Sequence, residues 1–395
     1  MTNRFRIQTL NNIAGVGLKR FPEQRYEVGA DLETADAIMV RSHNMHDMDI
    51  SPSVLAIGRA GAGVNNIPID QLSERGVPVF NAPGANANAV KELVLAGMFL
   101  AARNLCPAWD YVRELEGSDE EMAKAVEAGK KRFVGFELPG RTLGVVGLGA
   151  IGVEVANAAL GLGMNVIGYD PQITVRRAWQ LSSGVEQAAD IDDLFAQASM
   201  VTVHVPLIDA TRHLINTERL KLMPKGCVVL NFARGGIVHD EAVVAALDDK
   251  HLAYYVTDFP NRFLTGREGV VALPHLGAST GEAEDNCAVM VADTLKHYLE
   301  DGNIRHSVNF PEALLRRARP YRITIVNENV PSMVGQISTA LAEAEINIAD
   351  LLNKSRGKLA YSILDLDAPV DADTVQRITA IDGILGVRVL PANDE

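Results

Sequence analysis

Gly144-Val145-Val146-Gly147-Leu148-Gly149-Ala150-Ile151-Gly152, followed by Val166-Ile167-Gly168-Tyr169-Asp170, is the stretch that decides how this chain folds. The short apolar run before Gly147 reads as a buried parallel strand, and the GxGxxG spacing opens a helix of small and apolar residues expected from Ile151 to Leu162. Gly147 permits a tight turn, Gly149 lets backbone approach a pyrophosphate, and Gly152 lets helix and strand pack closely. Ala150 and Ile151 lie at the mouth of the helix, whose N-terminus offers free N–H groups and positive potential to an anion. Asp170 ends the next strand about 20 residues on, where a carboxylate accepts both ribose hydroxyls and repels a ribose phosphate. The expected cofactor is NAD rather than NADP.

Composition narrows the rest. The chain has 395 residues, long enough for two or three domains. Its 37 Lys and Arg against 50 Asp and Glu give a net charge of −13, which weighs against a nucleic-acid partner. The one dense basic run, Arg316 to Arg322, reads as a solvated linker. Cys106, Cys227 and Cys287 are far apart and form no CxxC, so neither a metal site nor a disulfide framework is expected, and all three read as reduced core thiols. The most apolar long stretch, AVKELVLAGMFLAA, carries Lys91 and Glu92. No signal peptide or membrane span is expected, which makes the cytoplasm the default location.

Strands alternate with helices through most of the chain, the pattern of parallel sheets covered by helices. The expected fold class is α/β, with two doubly wound parallel-sheet domains and a C-terminal α+β domain. Residues 1–88 and 283–310 form the expected substrate-binding domain, and 89–282 the NAD-binding domain. A proline-bounded linker, 311–320, leads to a last domain, 321–395, read as strand, helix, strand, strand, helix, strand and expected to fold and be removable as a unit.

Ligands of open α/β sheets bind beyond the carboxyl ends of the strands, so the residues just after each strand are the candidates. His204-Val205-Pro206, the segment from Asn231 through Ala233 and Arg234, Asp258-Phe259-Pro260, and Pro274-His275 through Gly277 all occupy such positions. Arg234, flanked by glycine, suits a substrate carboxylate held bidentately. His275 is placed to take a hydroxyl proton while hydride leaves the same carbon. Asp258 fits a hydrogen bond to a nicotinamide carboxamide, and His204 has two readings, cofactor contact or buried structural group. Val205, Pro206, Ala233 and Gly277 complete the expected cofactor shell.

These segments together, GLGAIG with Asp170, HVP, NFARGG and PHLGAST, resemble the D-isomer-specific 2-hydroxyacid dehydrogenases. PHLGAST and RAGAGVNN narrow the resemblance to the branch that handles phosphoglycerate. It implies oxidation of 3-phospho-D-glycerate to 3-phosphohydroxypyruvate with NAD, the first step of the phosphorylated route to L-serine, by a homodimer or homotetramer. It maps the family's carboxylate-binding arginine onto Arg234 and its acid/base onto His275. Gly61, Ala62, Gly63 and Val64 resemble the loop whose amides hold the carboxylate, Arg41 and Ser42 the position that meets the phosphate, and Arg59 a second cation for it. One feature departs from the pattern: the family's DVFxxEP, whose glutamate hydrogen-bonds the histidine, is replaced by Asp258-Phe259-Pro260-Asn261-Arg262-Phe263. Glu268 is the nearest downstream acid.

The last segment resembles an ACT domain, a module that binds amino acids at paired interfaces. Asn329 and Asn347 match the positions whose amides hold serine, Asn327 another polar contact, and Ser332 replaces the usual glycine. The resemblance implies L-serine as effector. Two other readings remain at this point: another short 2-hydroxy acid as substrate, such as glycerate, lactate or the reduction of 2-oxoglutarate, and an NAD-sensing regulatory protein of the same fold.

Overall fold

The computed structural model describes residues 4–392. The chain divides into two compact units, Met1–Asn86 with Gly281–Glu395, and Ala87–Thr280. It therefore passes from one to the other twice.

The first unit holds a parallel sheet of β1 (Phe5–Leu10), β2 (Tyr26–Gly29), β3 (Ala37–Val40), β4 (Ala56–Arg59) and β5 (Val79–Phe80), in the order β2-β1-β3-β4-β5. Every residue of β3 is buried, as expected of a central strand covered on both faces. The helix Gly281–Asp301 lays Cys287, Ala288, Val291, Leu295 and Tyr298 on the sheet. It crosses β4 so closely that a β-carbon on Gly58 would stand 2.6 Å from Val291 Cγ1. The edge strand β2 was not foreseen from sequence. Only Tyr26 of its four residues is buried, so it carries no long apolar run to reveal it.

The second unit begins with the helix Ala87–Ala102, followed by Leu105–Arg113 and Asp119–Gly129, the last opened by a Ser118/Glu121 capping box. Its sheet is β6 (Thr142–Val146), β7 (Asn165–Tyr169), β8 (Val185–Gln187), β9 (Met200–Val203), β10 (Cys227–Asn231), β11 (Leu252–Thr257) and β12 (Val270–Ala272). All neighbours are parallel, in the order β12-β11-β10-β9-β6-β7-β8. The strand order reverses between β6 and β9. That gap is the switch point where a doubly wound sheet offers its ligand crevice. One face buries Leu194, Phe195, Leu220 and Val243, and the other Val94, Met98, Val153 and Ala156, so helices cover both sides.

A third sheet, β13 (Tyr321–Glu328), β14 (Ile348–Arg356), β15 (Leu359–Leu366) and β16 (Ile384–Leu390), is antiparallel in the order β14-β15-β13-β16. With the helices Met333–Glu343 and Ala372–Thr379 it forms the strand-helix-strand-strand-helix-strand order that the spacing gives. Ile323, Ile325 and Leu364 face those helices through Ile337, Leu341 and Ile378. Val326, Tyr361 and Ile363 face the other way and share the core of the first unit with Leu295 and Tyr298. The central strands β13 and β15 are thus buried on both sides, while the edge strand β14 stays largely exposed.

Residues 311–320, expected as a solvated linker, are anchored along their length. Ala313 pairs with Ile304, the Leu315 amide donates to Asn303 Oδ1 at 2.9 Å, and the Ala318 amide donates to Asp365 Oδ2 at 3.0 Å. Arg322, fully buried, donates through Nε to Asp365 Oδ1 at 2.5 Å and through Nη1 to the carbonyls of Asp301 and Leu315. A buried guanidinium is tolerated only with such complete pairing, and removing one partner costs about 3–5 kcal/mol. Arg317 and Arg322 of the basic run are therefore held by internal contacts while Arg316 stays exposed, and the C-terminal sheet is built into the first unit rather than tethered to it.

All three cysteines are free, Cys227 and Cys287 buried and Cys106 half-buried. Burial pushes the Cys227 thiol up to about 12. Among the described residues no helix is long and apolar enough to cross a membrane.

Candidate functional site

The glycine-rich turn has the form its sequence requires. Gly147 closes the strand with φ +91, its amide donates to Tyr169 O at 2.9 Å, and a β-carbon on it would press on the carbonyl of His204. A β-carbon on Gly152 would overlap the carbonyl oxygen of Gly147, so this glycine is what lets the helix Ala150–Gly161 lie against β6. Nothing approaches within 4 Å of the space beside Gly149, the helix N-cap, and no side chain caps the helix. The first helical amides, Ala150, Ile151 and Gly152, point into that opening without an acceptor among the described residues. Asp170 accepts from the Leu148 amide and the Gln172 amide, each at 2.9 Å, which holds its carboxylate at the rim of the turn. A pyrophosphate and an adenosine ribose fit this donor and acceptor set.

Across the switch point, His204 presents its ring Nε2 to Thr202 Oγ1 at 3.0 Å, while its buried Nδ1 has no partner among the described residues. Loss of hydration pulls the imidazole pKa down to about 3, so it is neutral at pH 7. Val205 is half-buried beside it and Pro206 is exposed.

Arg234 leaves the end of β10 exposed. Its Nη1 donates to the carbonyl of its neighbour Ala233 at 2.7 Å, and no carboxylate pairs with it among the described residues. Asn231 fixes the loop from below, donating to the Arg234 carbonyl at 2.9 Å and accepting from the Ala233 amide at 3.2 Å. Arg234 is thus a free fork on a rigid stem, ready for a ligand's carboxylate.

His275, beyond β12, is exposed and holds a left-handed backbone, φ +56. The buried Asp258 pins the following residues, taking the Leu276 amide on Oδ1 at 2.8 Å and the Gly277 amide on Oδ2 at 2.9 Å. Its carboxylate, expected on a nicotinamide carboxamide, is therefore engaged in shaping the histidine loop, as is the Gly277 amide. Glu268 does not replace the missing acid. It precedes β12, at the opposite end of the strand from His275, is 92% exposed, and pairs with Lys250 at 3.6 Å. The neighbour of the His275 ring is Phe259, with centroids 5.1 Å apart and planes tilted 55°. Sequence reasoning passed over Phe259 because an apolar residue in a loop carries no chemical signal of its own.

The candidates of the first unit gather at the ends of β3 and β4. The amides of Ala62, Gly63 and Val64 have no acceptor among the described residues, although the carbonyls of Gly61, Ala62 and Val64 are bonded to Ala82, Asn81 and Ile67. A row of free amides on a braced loop is an anion cradle. Arg59 lies against Gly61 and donates through Nε to the Arg41 carbonyl at 3.0 Å. Ser42 is exposed beside it. Arg41 itself donates through Nη2 to Glu284 Oε1 at 2.6 Å, a partner 243 residues away that no motif announced. Asn66, also unforeseen, ties this region together by donating to the carbonyls of Arg41 and His43.

In the C-terminal sheet, Asn329 donates to Gly357 O at 3.1 Å and Asn347 to Asp367 Oδ2 at 2.7 Å. Asn327 is buried, donates to Glu328 O, and leaves its oxygen unpaired. The register places Tyr321, Leu366 and Ile348 at one end of the sheet and Glu328, Leu359 and Arg356 at the other. Asn347 therefore lies at the first end and Asn329 at the second, roughly 25 Å apart along a strand. One amino acid cannot touch both in a single chain. The open groove of this region lies instead between the two helices, lined by Ser332, Gln336, Glu343 and Arg377, and includes none of the three asparagines.

Comparison with known proteins gives the same architecture. Residues 95–277 match the family model of the D-isomer specific 2-hydroxyacid dehydrogenase, NAD binding domain. The D-3-phosphoglycerate dehydrogenase of Escherichia coli strain K12 is 31% identical over 366 residues, 89% of this chain and 85% of that protein. The D-3-phosphoglycerate dehydrogenase of Methanocaldococcus jannaschii is 35% identical over 85% of this chain, which spans only 62% of the archaeal protein's length. Among solved structures, NAD+-bound 3-phosphoglycerate dehydrogenase of Entamoeba histolytica superimposes with a TM-score of 0.60 at 25% identity, covering 78% of this chain and 99% of that one.

Proposed function

The chain belongs to the D-isomer-specific 2-hydroxyacid dehydrogenase family, and from that premise we propose that it interconverts 3-phospho-D-glycerate and 3-phosphohydroxypyruvate with NAD as cofactor, the entry step of phosphorylated L-serine biosynthesis. The observation that carries the reading is the pair Arg234 and His275, two polar side chains beyond the ends of β10 and β12 that no carboxylate claims among the described residues. Arg234 grips the substrate carboxylate with its planar fork, and the Ala62, Gly63 and Val64 amides bind the same class of group. His275 accepts the C2 hydroxyl proton in oxidation and returns it in reduction. The turn at Gly147–Gly152 would hold NAD, which would supply the acceptor for the C2 hydride. Arg41 and Arg59 are the cations proposed for the phosphate, a second anion-binding site that a mono-anionic acid such as lactate does not need.

The test is loss of NADH absorbance with phosphohydroxypyruvate. Wild type consumes NADH, and Arg234→Lys and His275→Asn each lose at least about 100-fold in kcat/KM while still binding NADH. Asparagine is chosen at 275 because it tolerates the left-handed backbone. Turnover by His275→Asn equal to wild type removes the histidine from the reaction. Consumption of NADH with hydroxypyruvate or 2-oxoglutarate but not with the phosphorylated acid assigns another 2-hydroxy acid.

The same proposal assigns the C-terminal sheet as an ACT-type effector module for L-serine. Because Asn329 and Asn347 stand at opposite ends of one sheet, a serine held by both amides needs a second copy of the chain, which links effector binding to the proposed homo-oligomer. Trp109 and Val112, three residues apart on the helix Leu105–Arg113 and both exposed, are apolar side chains that support self-association. Sedimentation with and without serine checks both: serine binding by a monomeric protein overturns the two-copy site.

A further inference from the structure

One side chain touches both loops that carry the proposed chemistry. Phe259 packs on the His275 ring, 5.1 Å between centroids and tilted by 55°. Gly235, the residue after Arg234, lies beside the base of the same side chain: a β-carbon on it would stand 3.6 Å from Phe259 Cβ and 3.9 Å from its Cγ. The Phe259 amide is itself fixed to Thr257 Oγ1 at 3.1 Å, and the loop beyond it is held where Asn261 Nδ2 donates to Asp240 Oδ2 at 2.7 Å. Phe259 is thus a ring on a braced stem, with the imidazole tilted against it and the arginine loop passing near its base at Gly235.

The His275 ring needs such a neighbour. It sits on a left-handed residue and no carboxylate or carbonyl holds either ring nitrogen among the described residues. Asp258 holds only the backbone that follows it. With no hydrogen bond to set the plane of the imidazole, contact with a flat neighbour is what restricts its rotation. We propose that Phe259 is a positioning residue, which fixes the plane of the His275 imidazole and its spacing from the Arg234 fork. A benzene ring performs this task through shape, and its face also favours the protonated imidazole, which forms as the hydroxyl proton is taken. Displacing a reacting group by about 1 Å costs up to 100-fold in rate, so the loss of the ring falls on turnover more than on substrate affinity. The proposal rests on the assignment of Arg234 and His275 given above.

The test compares Phe259→Ala, Phe259→Leu and Phe259→Tyr with wild type and with His275→Asn, using whichever 2-oxo acid wild type reduces best. Expected are a loss of about 10–100-fold in kcat for alanine with KM changed less than threefold, partial loss for leucine, and recovery by tyrosine, which restores the flat ring. Independently of activity, the His275 ring proton resonances move in Phe259→Ala as the ring current of the neighbour disappears, while NADH affinity and thermal midpoint in Phe259→Leu stay at wild-type values. Phe259→Ala with kcat within twofold of wild type overturns the proposal, as does an equal loss in all three variants accompanied by a lower melting midpoint. If His275→Asn is itself as active as wild type, it is the acid/base assignment that falls.

Discussion

Arg41 and Glu284 form an ion pair at 2.6 Å, both side chains about one-third exposed, at the place where the phosphate of the substrate is proposed to bind. The carboxylate orients the guanidinium but also occupies part of its charge, so a bound phosphate has to share Arg41 with a negative neighbour. Glu284→Gln keeps an oxygen acceptor and removes that charge. It is expected to lower the KM for phosphohydroxypyruvate by about 3–10-fold and leave that for hydroxypyruvate unchanged, whereas Arg41→Ala raises the first selectively. Steady-state kinetics with the two acids decide it. A parallel rise for both substrates in Glu284→Gln shows that the pair is structural.

Asp170 holds the amides of Leu148 and Gln172 and stands where the adenosine ribose is proposed. Asp170→Ala is expected to weaken NADH binding about tenfold or more and to narrow the preference over NADPH, since the acceptor of the hydroxyls and the repulsion of a ribose phosphate vanish together. Nucleotide fluorescence titration measures both affinities. An unchanged ratio removes Asp170 from the cofactor site.

His204 gives a pH dependence with a definite sign. Its pKa is about 3 in the fold against about 6.5 in an unfolded chain, so the unfolded state takes up the proton first as pH falls. The stability tied to its neutral form is complete above about pH 6.5 and is lost progressively between about 6.5 and 3. Urea midpoints at pH 7.5 and 5 are expected to separate less in His204→Gln than in wild type. Identical separations refute the assignment.

Ser332 occupies φ +71, a left-handed backbone that disfavours any residue with a β-carbon. Its position at the start of the helix Met333–Glu343 is the one the ACT resemblance expects to be glycine. Ser332→Gly is expected to stabilise the fold by about 1 kcal/mol, the relief of strain exceeding the entropy glycine adds to the unfolded chain. Denaturant melts measure it. A destabilised variant means that the Ser332 side chain supplies a compensating contact.

What the sequence made legible is what local backbone geometry demands. Gly147, Gly152 and Asp170 are readable because a tight turn, a helix against a strand, and a carboxylate at a strand end admit few residue types. Arg234 and His275 are readable because permanent charge and an imidazole beside glycine at strand ends have few structural uses. Glu284 and Asn66 were missed since their importance lies in partners elsewhere in the chain, and Phe259 because an apolar loop residue carries no chemical signal of its own. The edge strands β2 and β8 were missed because half-exposed strands of three or four residues carry no apolar run. The reading of Arg316 to Arg322 as solvated charge holds for the exposed Arg316 and Arg319 but not for the buried Arg322, because composition does not reveal which arginines a folded chain will bury.

The shared core of the first unit also sets a timetable for synthesis. The segment Ala87–Thr280 is continuous and can begin to fold as soon as it leaves the ribosome. The sheet β1–β5 emerges earlier but lacks its cover, because Leu295, Tyr298, Val326, Tyr361 and Ile363 are encoded after that segment. At ordinary elongation rates β1 waits roughly 15–60 s for the helix that covers the sheet, and longer for the last sheet. The strands β1–β5 are therefore made before their cover, and Ile7, Met39 and Phe80 are among the side chains left uncovered in the interval.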